Sequence, residues 1–267
     1  MDGKPQIFWQ AHRGGGGLDM PDNTLAAVKY GWSLGGIPEV DIRLTADNQL
    51  VCLHDDTLAR TTDAPPEFAK LPVRQLAADT IRSYDAGVKF DPKWRGEKVP
   101  LLAEVFALMK EDPARLIYAD VKDVESENFG QLVRRHGVAA QIIVCSCDPA
   151  TNRALKAMAE GLRAMQWIGG SPEQIRRAFA AAAARSFAGL FQVQLHLGGL
   201  PDDYELPPDF LADALAATAR QGVSLQVFPF HFDQKSLFQL LDLGLRWFVT
   251  DEPRRFSQIL TTWRENA

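Results

Sequence analysis

The stretch "PEVDIRLTADNQLVCLHDDT", Pro38–Thr57, decides how this chain is read. Its first third, "PEVDIRL", is an apolar, β-branched run of strand character that nevertheless carries two acids. Alternate side chains of a strand share a face, so Glu39 and Asp41 project together while Val40 and Ile42 project to the other side. Two like charges held that close repel, and each resists burial unless a cation sits between them. A bound metal ion answers that demand. The remainder, "NQLVCLHDDT", follows after only "TADN". That is too short for a crossover helix, so it reads as a hairpin arm rather than as the next parallel strand.

Outward from this stretch the chain alternates strand and helix. Apolar or β-branched runs recur as "QIFWQAH", "PEVDIRL", "RLIYADVK", "QIIVCSC", "RAMQWIG", "LFQVQLHL", "VSLQVFPF" and "RWFVTD". Between most of them lie amphipathic stretches of helical period, such as "TLAAVKYGWSL" and "PDFLADALAATARQ". Eight strands alternating with helices in 267 residues point to an α/β protein, a single closed (β/α)8 barrel spanning 1–267. Residues from about 55 to 100, rich in Pro, Asp and Arg, form a small insertion after the second strand, placed at the C-terminal face of the barrel.

Composition sets the surroundings. The chain is 46% hydrophobic and 24% charged with a formal net charge of −5, a soluble globular profile that does not favour a nucleic-acid backbone. No apolar run reaches the roughly 20 residues of a membrane helix. The nearest, "AFAAAAARSFAGLF", is broken by Arg185. No signal-peptide pattern precedes the first strand, and Cys52, Cys145 and Cys147 lack zinc-ligand spacing. A cytoplasmic protein with reduced thiols is expected, and Cys145 and Cys147, alternating on one strand, are expected to pack there.

Barrel enzymes carry chemistry at the C-terminal ends of their strands. Here those ends hold His12 and Arg13, Glu39 and Asp41, then Asp120 and Lys122. Three carboxylates and an ammonium therefore converge. An all-oxygen set selects a hard cation, Mg²⁺ or Ca²⁺. His12 and His54, without an imidazole or sulfur cluster around them, suit general acid and base roles, and His196 ends the sixth strand where it can line the same pocket. Arg13 precedes "GGGG", whose main-chain N–H groups suit an anion, although Gly16 and Gly17 read as flexible filler.

The ordered set "AHRG", "PDNT" before a helix, "EVDIRLTADNQLVCLHDDTLARTT", "YDAGVKFDPKWRGEKVPLLAEV", "ADVK" and "LLDLGLRWFVTDEP" resembles the glycerophosphodiester phosphodiesterase family. The likeness runs nearly end to end and is strongest over 11–63 and 84–122; from 160 to 235 only strand and helix pattern is shared. It implies a TIM barrel, one divalent cation, and hydrolysis of a glycerophosphodiester to an alcohol and glycerol 3-phosphate. It assigns metal binding to Glu39, Asp41 and Asp120, acid/base catalysis to His12 and His54, and phosphate binding to Arg13 and Lys122. Salvage of phospholipid-derived glycerol and phosphate is the role it implies.

Two positions depart from the family pattern. Asp22 stands where Glu is usual, and Asp120 also replaces a commoner Glu, a choice that resembles the related sphingomyelinase D-type phospholipases. Each change removes one methylene, roughly 1.5 Å of reach. "VFPFHF" replaces the usual late Trp-Thr-x-Asn strand end, which leaves head-group recognition open. Alternatives are a catalytically impaired phosphodiester-binding relative, a phospholipase D acting on another diester, or a two-carboxylate glycosidase using Glu39 and Asp120.

Overall fold

Runs that are apolar on both faces can only be buried on both faces, which is the environment of a parallel sheet wrapped in helices. The computed structural model describes residues 5–201 and 203–266. Its strands are β1 Phe8–Ala11, β2 Ile37–Leu44, β3 Leu50–Cys52, β4 Ile117–Asp123, β5 Ile142–Ser146 and β6 Arg163–Ile168. They continue as β7 Gln192–Leu197, β8 Gly199–Leu200, β9 Asp203–Tyr204, β10 Ser224–Pro229 and β11 Trp247–Thr250. Eight of them pair in parallel in the order β1, β11, β10, β7, β6, β5, β4, β2, and β2 returns to β1 through Gln10 opposite Ile37. The sheet closes into a (β/α)8 barrel. The arm β3 pairs antiparallel with β2, Ile42 opposite Cys52, as the five-residue "TADNQ" connection dictates. The two-residue strands β8 and β9 form a separate ribbon beyond β7.

The helices are α1 Leu25–Ser33, α2 Pro66–Ala69, α3 Ala78–Ser83, α4 Leu102–Lys110 and α5 Ser126–His136. After them come α6 Pro149–Lys156, α7 Pro172–Ala183, α8 Pro208–Ala219, α9 Gln234–Asp242 and α10 Pro253–Asn266. Local chemistry starts them. Thr24 caps α1 by accepting from the Ala27 N–H at 3.1 Å, and Ser171 with Gln174 forms a reciprocal capping box on α7. Proline opens α6, α7, α8 and α10, where its missing N–H costs nothing.

Between strands and helices lies a dry layer that includes Phe106, Phe129, Leu195 and Phe248, all fully buried. Truncating one such phenylalanine costs about 3–5 kcal/mol. Inside the barrel the filling is partly polar: Tyr118 Oη donates to Gln192 Oε1 at 2.8 Å and accepts from Gln226 Nε2 at 3.3 Å.

The segment between β3 and α4 carries its own apolar cluster, with Leu58, Val73 and Ile81 at its centre. Its outward bonds go to strand residues, to the loops that follow them and to α4, where Arg82 Nη2 donates to Glu104 at 3.0 Å. Arg60 Nη1 donates to Asp22 at 2.7 Å, Arg74 Nη2 to Asp123 at 2.8 Å, and the His54 carbonyl accepts from Arg43 Nη2 at 2.8 Å. Of the three free cysteines, Cys52 and Cys145 are buried, but β5 ends at Ser146 and Cys147 is exposed. The expected packing of Cys147 therefore fails for want of one more strand residue.

Candidate active site

Strand alternation turns Glu39 and Asp41 into the barrel, where they are 1% and 0% exposed. The parallel register sets Asp41 opposite Asp120, so two short acids meet at one level, while the longer Glu39 reaches up from the level of Tyr118. One oxygen from each of the three acids lies within 4.8 Å of the others. Register thus supplies what the shorter Asp120 side chain lacks. The β2–β4 register shifts after the Ile42–Val121 pair, and Lys122 Nζ, at that point, lies 2.8 Å from Asp120 and 3.1 Å from Asp41.

The loops fix the acids from above. Asn23, in the left-handed region at φ 57° that asparagine tolerates, accepts from the Asp41 N–H at 2.8 Å and donates to Asp41 Oδ2 at 2.9 Å. Arg13, at φ 55°, aims its backbone N–H at Glu39 Oε2, 2.6 Å away. Its guanidinium bonds Asp22 at 3.0 Å; Asp22 also takes Arg60, which forks onto Asp55, which holds His54 Nδ1 at 2.9 Å. Asp22 therefore orients arginines instead of joining the three acids. On the other side Asp251, just past β11, holds His12 Nδ1 at 2.7 Å. Gly16 is not filler: a Cβ there would lie 2.2 Å from the Asp251 carbonyl oxygen, so the loop can approach His12's partner only with glycine. The Gly14 and Gly16 N–H groups are spent on the Ala11 and His12 carbonyls, which removes them as anion ligands.

These groups surround a cavity of about 230 Å³ lined by His12, Arg13, Glu39, His54, Asp120 and Lys122. Its far wall is aromatic. Trp167 on β6 stacks on His196 with centroids 5.5 Å apart, and Phe228 and Phe230 meet His196 edge-on at 5.6 and 5.3 Å.

Charge follows the geometry. Burial, reinforced by the field of Asp41, pushes Glu39 up to about 8, and burial with Asp41 lifts Asp120 to about 6 against the pull of Lys122. Asp41 goes the other way: burial is outweighed by Lys122, His54, His12 and the Asn23 bond. Burial would lower His12, but the Asp251 hydrogen bond and the charges of Glu39, Asp251 and Asp41 raise it to about 9. His54 is lowered, chiefly by burial. His196, buried near the charged His12, falls to about 4 and is neutral at physiological pH.

All eight site residues expected from the sequence meet around this mouth. Asp251, Asn23, Arg60 and the orienting role of Asp55 were missed. Asp251 had a signal, an acid one residue beyond the last strand; Arg60 had none, since Asp22, one of its two partners, lies 38 residues back. The donor set fits a hard divalent ion: it is all oxygen, deeply buried, and Glu39 Oε1 has no hydrogen-bond partner.

Buried acids that call for a cation, beside cations that call for an anion, define the class: a barrel phosphoric diester hydrolase. The profile of the Glycerophosphoryl diester phosphodiesterase family matches residues 12–255. A glycerophosphodiester phosphodiesterase of Caldanaerobacter subterraneus subsp. tengcongensis is 28% identical over 260 residues, covering 91% of this chain and 93% of that protein. The crystal structure of a glycerophosphodiester phosphodiesterase from Agrobacterium tumefaciens superposes with a TM-score of 0.74 at 22% identity, covering 95% of this chain and 100% of that one. An Oleispira antarctica phosphodiesterase, solved with the product sn-glycerol-3-phosphate, gives 0.73 at 20% identity over 97% of both chains. The chain belongs to the glycerophosphoryl diester phosphodiesterase family. Among the described residues no helix is long and apolar enough to cross a membrane.

Proposed function

We propose that the cavity hydrolyses a glycerophosphodiester to an alcohol and glycerol 3-phosphate with the help of one divalent cation, Mg²⁺ or Ca²⁺. The reading is carried by the three-acid cluster flanked by Lys122 and by two histidines that each have a carboxylate partner. Glu39, Asp41 and Asp120 would hold the ion, and the chemistry such an ion supplies is withdrawal of charge from a phosphoryl oxygen. Arg13 and Lys122 face the substrate's monoanion and gain strength as charge builds on the equatorial oxygens. Each histidine has its Nδ1 engaged by an acid, which leaves Nε2 for the cavity. One imidazole takes the proton of the attacking hydroxyl and the other returns a proton to the departing alkoxide. Their metal-free affinities lie on opposite sides of the ordinary value, an arrangement that splits a pair into acid and base. His196, neutral and stacked, offers the substrate a ring edge rather than a charge. Residues of about 55–100 act as a subdomain completing the mouth of one barrel domain, and the free thiols suit a cytoplasmic location.

A panel of glycerophosphodiesters with bis(p-nitrophenyl) phosphate as control, assayed across Mg²⁺, Ca²⁺, Mn²⁺ and EDTA, tests this. Turnover of a glycerophosphodiester that needs an added ion is expected. Full activity in EDTA sinks the metal assignment, and cleavage of the aryl control alone sinks the substrate class.

A further inference from the structure

A second cavity lies on the outer side of β6, between α6 and α7. At about 410 Å³ it is larger than the catalytic one and has the size of a small-molecule site. Arg153 and Lys156 of α6 line it with Arg185, just past α7, and no acid does. None of the three is in an ion pair among the described residues. Lys156 Nζ donates to the Gly189 carbonyl at 2.8 Å, and Asp148, whose charge Arg153 favours, is spent on capping α6. In a chain of net charge −5, such a grouping makes a local field for an anion.

Two further observations mark the cavity. Asn152, 1% exposed, lines it, and its Nδ2 donates to the Ser146 and Met165 carbonyls at 2.9 and 3.1 Å. Those bonds fix the amide's orientation and leave Oδ1 without a partner. Ser186 and Phe187, which turn the chain off α7, are both left-handed, at φ 50° and 52°. Glycine takes that conformation freely; a phenylalanine there is strained, and strain of this kind collects at ligand sites. The strained turn seats the Phe187 ring against Phe179, centroids 5.4 Å apart, as an apolar wall of the cavity.

We propose that this cavity binds an amphiphilic anion whose head group pairs with Arg153, Lys156 and Arg185, whose chain rests on Phe187 and Leu190, and whose hydroxyl donates to Asn152 Oδ1. Charge and hydrogen bonding define the class together. An alkylammonium also donates to Asn152 but meets three like charges, and a plain acyl carboxylate pairs with the cations but leaves Oδ1 unsatisfied. A hydroxylated acyl carboxylate answers both. The site shares no residue with the catalytic cavity: β6 turns Gln166 to this one and Met165 and Trp167 to the other. Both can be filled at once, so the inference stands apart from the hydrolytic reading.

Calorimetry on the full chain tests it with three probes of one chain length, below their micellar concentrations: decanoate, 3-hydroxydecanoate and decylammonium. The hydroxy acid is expected to bind about fivefold more tightly than decanoate, the worth of one hydrogen bond, and decylammonium is expected not to bind. Saturating glycerol 3-phosphate should leave these affinities unchanged. Arg153 and Arg185 are exposed, so the double variant Arg153→Gln/Arg185→Gln should fold normally. It is expected to hold 3-hydroxydecanoate at least about tenfold more weakly and glycerol 3-phosphate as before. Binding of decylammonium as tight as that of the acids, displacement by glycerol 3-phosphate, or an undiminished affinity in the double variant overturns the site. Equal affinity for the two acids overturns the part given to Asn152.

Discussion

The two walls of the barrel's mouth are built on opposite plans. One, formed by β1, β2 and β4 with the loops above them, gathers Glu39, Asp41, Asp120, Lys122, Arg13 and His12: Lys122 pairs with Asp41 and Asp120, Arg13 with Asp22 and His12 with Asp251, while Glu39 accepts from the Arg13 backbone N–H. The other, formed by β6, β7 and β10, holds rings and an amide: Trp167, His196, Phe228 and Gln194. The first wall is expensive to bury and makes sense only around a transferred charge. The second uses residues that any core could contain, and only the unpaired Gln194 Oε1 and Trp167 Nε1 mark them as a surface for a ligand. The function proposed above assigns chemistry to the first wall and selection to the second.

The sharpest way to break this division is to remove charge from the first wall. Glu39→Gln or Asp41→Asn is expected to lower kcat/KM by about three decades, since several kcal/mol of transition-state stabilisation depend on the ion these acids would hold. Residual activity within about tenfold of the original, at saturating Mg²⁺ or Ca²⁺, contradicts the assignment. Next come the histidines. His12→Ala and His54→Ala are each expected to cost about 10²–10³ in rate, a proton-transfer role apiece. If aryl leaving groups, which need no protonation, recover in one variant and not in the other, that variant identifies the general acid.

A smaller effect concerns protons competing with the ion. Ligands must be deprotonated to bind, and in the metal-free protein Glu39 and Asp120 hold their protons up to about 8 and 6. Metal affinity should therefore climb about tenfold per pH unit as pH approaches 8 and level off above it. The sign for stability is the reverse of the usual carboxylate case. Both acids sit above their unfolded values, so their contribution is intact at low pH and is lost as pH rises through 6 and 8. The upward shift in Tm on adding the ion should be larger at pH 8.5 than at pH 6, measured by calorimetric melting. Equal shifts contradict the buried-acid picture.

The same contrast governs what the sequence reveals. Eight apolar runs, with one connection too short for a helix, are enough for the closed barrel and its hairpin arm, because strand period and connection length are local properties. The acids and histidines of the first wall are legible for a related reason: charge inside an apolar strand violates burial, and violations point to function. The role of Asp251 depends on a partner 239 residues away, and that of Arg60 on Asp22, 38 residues back. Gln10 and Gln194 look like ordinary strand residues until closure brings them to the lining of the catalytic cavity. Such roles arise only on closure, so no local pattern announces them.

Two further changes probe the division at finer scale. Asp251→Asn keeps the shape of the contact to His12 Nδ1 but removes its charge, at a cost of about 1.5 kcal/mol, or about tenfold in rate. Because Asp251 is among the groups that raise His12 to about 9, the His12 titration in EDTA-treated protein should move to lower pH, as followed by its ring proton resonance. An unmoved titration means that Glu39 and Asp41 alone set the charge of His12.

The smallest expected effect lies across the cavity. Phe230 is 44% exposed and touches His196 and Phe228, at 5.3 and 4.7 Å between centroids. Phe230→Ala loses those ring contacts, about 1 kcal/mol, so kcat/KM should fall no more than about fivefold, through KM rather than kcat. The factor should also depend on the alcohol: larger for a bulky apolar head group that rests on the ring, smaller for one that reaches past it into water. A loss in kcat comparable to that of His12→Ala would place Phe230 among the groups that position the reacting phosphate, and the separation of chemistry from selection between the two walls would not hold.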